Sequence, residues 1–82
     1  MSYLSELAPG ETALVLNIEK SDIGRRLAEL GLAPDTRVYC IARASLGGPS
    51  AYLVRGCAVA LRREAANAVK VQKAASDGGI WD

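Results

Sequence analysis

Few side chains in this sequence are suited to covalent or metal chemistry, and their spacing argues against both. There is no His, which removes the commonest general base and the commonest transition-metal ligand. Cys40 and Cys57 stand seventeen residues apart, with no carboxylate within three residues of either. A metal site needs Cys, His or carboxylates clustered at workable spacing, so no metal ligand is assigned. The simpler reading makes both cysteines small buried hydrophobes, Cys57 on an inward-facing strand position, and nothing supports a disulfide between them. Covalent catalysis needs a nucleophile beside a base. Only Ser–Lys or Cys–Lys pairs remain, and no spacing offers one. Paired carboxylates are absent as a motif. The chain is therefore read as non-enzymatic, without catalytic residues or a cofactor.

Three other features invite a binding role. Gly47-Gly48 lacks the Gly-Lys-Ser/Thr ending of a phosphate loop and the third glycine of a dinucleotide fingerprint. Pro49 and a strand follow instead, so these are turn glycines. Seven of the ten basic residues are Arg, a side chain enriched at interface hot spots. Arg25-Arg26 and Arg62-Arg63 are either partner contacts or solvated charges paired to Asp22, Glu29 and Glu64. Tyr52, next to the glycine loop, is either a partner anchor or half-buried; the residues do not separate these readings.

The elements that position these groups follow from periodicity. Leu4 and Leu7 flank a short helical turn ending at Pro9-Gly10. Thr12 to Ile18 alternates with period two, which predicts a strand covered on both sides. Ile23, Leu27 and Leu30 recur at i, i+4 and i+7, one helical face. Ser21 or Asp22 is suited to cap the helix, and Asp22–Arg26 and Arg25–Glu29 would pair along it. Gly24 is unfavourable inside a helix, which places the start at Arg25, and Gly31 suits the close. Ala33 to Thr36 is a turn, Arg37 to Ala44 a second strand and Leu46 to Pro49 a loop. Ala51 to Arg55 and Cys57 to Arg62 form a hairpin around Gly56. Arg63 to Ala68 gives one helical turn and Val69 to Val71 a last strand.

Composition narrows the class. With 82 residues this is one small domain, whose core must be aliphatic because Phe is absent and the aromatics are three Tyr and one Trp. The net charge of +1, with signs interspersed, argues against a nucleic-acid or membrane-surface binder. The longest apolar runs, five residues, fall far short of the ~20 that span a bilayer. No targeting segment is apparent, and the expectation is a soluble cytoplasmic domain without membrane insertion. About five short strands and one inserted α-helix, with short helical turns, predict a mainly β fold closed into a small barrel, since closure removes exposed edges. The barrel is assigned to residues 1–73. Residues 74–82, with an isolated Ile80-Trp81, are read as a disordered tail. Self-association through an uncovered face fits an Ala- and Val-rich barrel.

The order of motifs is more specific than any one of them. Arg25-Arg26-Leu27-Ala28-Glu29-Leu30-Gly31-Leu32-Ala33-Pro34 is followed by Arg37-Val38, Ala44-Ser45-Leu46-Gly47-Gly48-Pro49 and Val59-Ala60-Leu61-Arg62-Arg63-Glu64-Ala65. Over Leu4 to Val71 the chain resembles the FeoA family, small cytoplasmic accessory proteins of bacterial ferrous-iron uptake. The resemblance implies an SH3-like β-barrel with a helical insertion. It also implies a partner, the FeoB transporter, whose cytoplasmic part binds GTP, and hence a location peripheral to the inner membrane. Departures from the family pattern fall at Asp35, where Gly is usual, and at Ser45 and Gly48, where some members carry Pro and Asp. Leu46, Gly47, Gly48, Pro49 and Tyr52, with Arg25, Arg26 and Arg62, are the expected partner contacts, because loops on a rigid scaffold are where small barrels recognise partners. The alternative is a stand-alone domain of this type that binds a peptide or a transcription regulator.

Overall fold

The computed structural model describes residues 2–44 and 48–73. Six strands form one antiparallel sheet: β1 (Ser2–Tyr3), β2 (Thr12–Ile18), β3 (Arg37–Ala42), β4 (Ser50–Val54), β5 (Cys57–Leu61) and β6 (Val69–Lys73), in the order β1-β6-β2-β3-β4-β5. A 3-10 turn, Leu4–Glu6, follows β1. Helix α1 (Asp22–Glu29) lies between β2 and β3, and α2 (Arg63–Ala66) between β5 and β6. The mainly β architecture expected from the alternation is what forms, with one correction. The sheet does not close by strand pairing; β1 and β5 are its edges. The 3-10 turn and α2 pack against each other, and α2 against β5, across the gap. A barrel this small lets two short helical turns do the covering that a further strand would do.

β2 occupies its expected residues. Ala13 and Val15 are fully buried, while Leu14, Leu16 and Ile18 on the other face are partly covered. The core is aliphatic apart from Tyr52, its largest member, and Cys40, and also holds Leu4, Leu7, Leu27, Leu32, Val38 and Val71. Two bulges, between Val15 and Asn17 against β6 and between Cys40 and Ala42 against β4, bend the sheet around this core.

α1 begins at Asp22, not Arg25. Ser21 caps it by accepting the Gly24 N–H at 3.1 Å. Gly24 is there for space: a Cβ at this position would lie 1.9 Å from the Glu19 carbonyl oxygen. The backbones touch, so helix propensity yields to packing. Only Gly24 and Leu27 are buried on α1, while Ile23 and Leu30 are 39% and 49% exposed. The apolar stripe is thus wider than the seam that seats the helix on the sheet rim. The carboxylate of Asp22 pairs with Arg25 at 2.9 Å, one residue closer than the i, i+4 pairs expected. Gly31 closes the helix with φ +104°, its N–H donating to Ala28 and that of Leu32 to Leu27, which is the Schellman arrangement. In the following turn Asp35 takes the left-handed φ of +71°, which Asp tolerates better than most residues.

β3 stops at Ala42 rather than Ala44, and β6 runs on to Lys73. The β4–β5 hairpin turns at Arg55 and Gly56, with φ of +52° and +80°, as a two-residue hairpin requires. Cys57 is exposed, against expectation, whereas Leu61 at the other end of β5 is buried. The alternation holds, but Cys57 sits at the hairpin end, beyond the core. Both cysteines are free, and burial pushes the Cys40 thiol pKa up. The expected tail at 74–82 lies outside the described residues.

Candidate functional site: a cleft beside the β3–β4 loop

β3 leaves the sheet at Ala42 and β4 re-enters it at Ser50. Two residues into β4, Tyr52 is 1% exposed. Its hydroxyl donates to the Leu4 carbonyl at 3.4 Å, which ties β4 to the 3-10 turn, and desolvation raises its pKa. Tyr52 is thus a core residue rather than an exposed anchor. Above it, Arg43, Gly48, Ser50 and Arg63 converge with Ser5 on one small cleft. A shallower depression of about 370 Å³ continues from it, with Arg43, Arg63, Ser5, Glu6 and Asn67 around its rim. The Ser5 hydroxyl donates to Asn67 Oδ1, holding the 3-10 turn to the end of α2.

Arg43 and Arg63 come from elements twenty residues apart and line the same cleft. Among the described residues neither makes a salt bridge; the ion pairs are Arg25–Asp22 and Lys73–Glu11. Two exposed guanidiniums beside hydroxyl groups can receive carboxylates in bidentate geometry.

The expected contact residues separate. Gly48 and Tyr52 line this cleft, and Pro49 is exposed beside it. Leu46 and Gly47 lie outside the described residues. Arg25 belongs elsewhere, in a groove of about 660 Å³ between α1, the end of β2 and the Ala33-Pro34 turn. Arg26 is exposed on α1, and Arg62 is exposed just ahead of α2; neither lines the loop cleft. Arg43 was missed. The available signal was its place immediately before the glycine loop. Arg63, not its neighbour Arg62, turns into the cleft. Among the described residues no group of three His, Cys, Asp or Glu gathers to hold a metal, and no helix is long and apolar enough to cross a membrane.

Comparison with known proteins places this geometry. The FeoA domain model matches residues 3–73. FeoA of Stenotrophomonas maltophilia, solved with zinc and described as a prokaryotic SH3 domain protein, is 31% identical with a TM-score of 0.79, over 88% of this chain and 91% of that one. FeoA of Chlorobium tepidum is 32% identical with a TM-score of 0.81, over 95% and 75% of the two chains. A manganese-dependent transcriptional repressor shares the domain at 27% identity and a TM-score of 0.79, but this chain covers only 40% of it. No curated protein matches the sequence. The match across nearly the whole sheet, together with the likeness to solved FeoA proteins, shows that this SH3-like chain belongs to the FeoA domain family, associated with ferrous-iron transport.

Proposed function

We propose that the chain is a non-enzymatic accessory module of ferrous-iron uptake that docks on the cytoplasmic part of the FeoB GTPase transporter. The observation that carries the docking surface is the pair Arg43 and Arg63, which line one cleft and make no salt bridge among the described residues. An acidic, carboxylate-presenting surface of the transporter is the complementary partner, with Leu46–Pro49 as proposed contacts and Tyr52 in the lining of the cleft. Arg62 flanks this surface, and Arg25 and Arg26 do not belong to it. The protein would act from the cytoplasm, at the membrane only through its partner.

The test is direct binding between the chain and the purified cytoplasmic part of such a transporter. Association that the double substitution Arg43→Glu, Arg63→Glu weakens, and Leu46→Ala weakens further, supports the reading. A folded chain that does not associate at all sinks it. The kinship with repressor domains gives the second reading, a stand-alone domain that binds a transcription regulator; recovery of such a regulator in place of the GTPase would select it.

A further inference from the structure

The outer face of the sheet carries apolar side chains that remain exposed among the described residues. Thr12 on β2 stands opposite Tyr39 on β3, Tyr39 opposite Leu53 on β4, and Leu53 opposite Ala58 on β5. Paired residues share a face, so these four form a row across the sheet. Tyr39 and Leu53 are each 40% exposed, and Ile41, next along β3, is 42% exposed. The core lies on the other face, with Val38, Cys40, Tyr52 and Val54. Beside the row is a depression of about 520 Å³, lined by Thr12, Tyr39 and Leu53 of the sheet and by Asp35, Arg37 and Arg55. The Arg55 side chain is held there by its Nε–H, which donates to the Gly31 carbonyl at 3.1 Å.

The residues that follow β6 suit this face in reach, polarity and charge. β6 ends at Lys73, opposite Ala13 and one position from Thr12 at the head of the row. Nine residues follow, Ala74-Ala75-Ser76-Asp77-Gly78-Gly79-Ile80-Trp81-Asp82. Their large apolar side chains are Ile80 and Trp81, the only Trp of the sequence. With strands about 4.8 Å apart, Tyr39 lies about 10 Å and Leu53 about 14 Å from β6. Residues 74–79, extended, reach about 20 Å, so Ile80 and Trp81 can lie on either. Gly78-Gly79 permits the change of direction. The segment adds Asp77 and Asp82 and no base, against two arginines and one aspartate around the depression.

A second copy is the competing occupant. The exposed apolar area is on the order of 200–300 Å², well short of the ~800 Å² that each partner of a stable dimer buries. One Trp and one Ile are enough to cover it, and a tethered segment acts at an effective concentration in the mM range. We propose that Ile80 and Trp81 dock on the Tyr39–Leu53 face, with the indole in the depression. Residues 74–82 then cover the outer sheet instead of forming the disordered tail expected from composition. This surface is separate from the loop cleft and stands or falls without the transporter reading.

Trp81 is its own reporter. In the full chain its acrylamide quenching constant should be at most about half that of the synthetic peptide 74–82, as for an indole docked more than half the time. Tyr39→Thr with Leu53→Thr removes the apolar row but keeps β propensity, and should return quenching to the peptide value. Ile80→Ser lies beyond β6, where it leaves the sheet intact, and should raise quenching toward the same value. Quenching equal to the peptide's in the unmodified chain overturns the proposal. Protection that either the folded double variant or Ile80→Ser leaves unchanged overturns it as well. Protection that grows with protein concentration, together with a dimer in sedimentation, also overturns it and assigns the face to a second copy.

Discussion

The arginines at the rim of α1 and those at the loop cleft have the same chemistry and opposite situations. Arg25 spends its charge locally, on Asp22 three residues before it in the same helix turn. Arg43 and Arg63 are brought together by tertiary structure and make no salt bridge among the described residues. A charge paired within its own helix is support for that helix; two that converge on one cleft without a salt bridge among the described residues are available to a partner. The groove beside α1 is also the larger of the two, at about 660 Å³ against 370 Å³. Size does not choose between them. The state of the charges does.

Tyr52→Ala is the largest way to break this contrast. Truncating a buried aromatic leaves a cavity and should cost about 3–5 kcal/mol by chemical denaturation, undoing the floor of the loop cleft. Tyr52→Phe removes only the hydroxyl, with its long hydrogen bond to Leu4 and its contact with Ser50, and should cost about 1 kcal/mol or less. If the two variants lose equal stability, Tyr52 is not the support described. On the α1 side, Gly24→Ala should destabilise by about 1–3 kcal/mol, since its methyl must displace the Glu19 backbone. Helix propensity alone predicts a gain of about 1 kcal/mol, so the sign of the measured change decides.

The charges give a sharper, smaller contrast. Arg43→Glu with Arg63→Glu should lower association with an acidic partner by roughly tenfold or more while leaving stability within about 0.5 kcal/mol. Arg25→Ala should leave association unchanged and reduce stability by at most about 0.5 kcal/mol, the range of an exposed pair. Equal effects on association would erase the distinction between the two surfaces. The smallest effect is one of pH. The Glu11 carboxylate accepts the Ala8 N–H at 2.7 Å, with Lys73 at 3.6 Å. The backbone bond, ahead of Lys73, holds its pKa below the ordinary 4.5. A depressed folded pKa gives stability that is present above the ordinary value and lost as pH falls through the folded one. Glu11→Gln should lower stability slightly at neutral pH, where that contribution is present, and flatten the acid-side loss in a denaturation series.

Legibility in the sequence followed the range of the forces involved. Thr12–Ile18 was readable residue for residue because strict alternation runs between a Pro-Gly turn and a polar cap. The 55–56 turn was readable because Gly56 marks it. Gly24 misled because the contact that demands it is with Glu19, a backbone approach that no helical pattern encodes. Cys57 misled because period two tells which face a residue takes but not how far the core extends beneath it. At the candidate site, Gly48 and Tyr52 were located by the loop itself. Arg43 was not, since its meeting with Arg63 at one cleft joins residues twenty positions apart in sequence.

The place of β6 carries a consequence for how the chain acquires its shape. The last strand of the barrel lies second in the sheet, between β1 and β2, where Val71 pairs with both Ser2 and Val15. The N-terminal elements therefore cannot finish their sheet until residues 69–73 arrive. Pairings between segments more than fifty residues apart are slow to form because loop closure must precede them. A nascent chain waits with its apolar strands uncovered, and this small domain should complete folding in a single late event rather than by growth from its beginning.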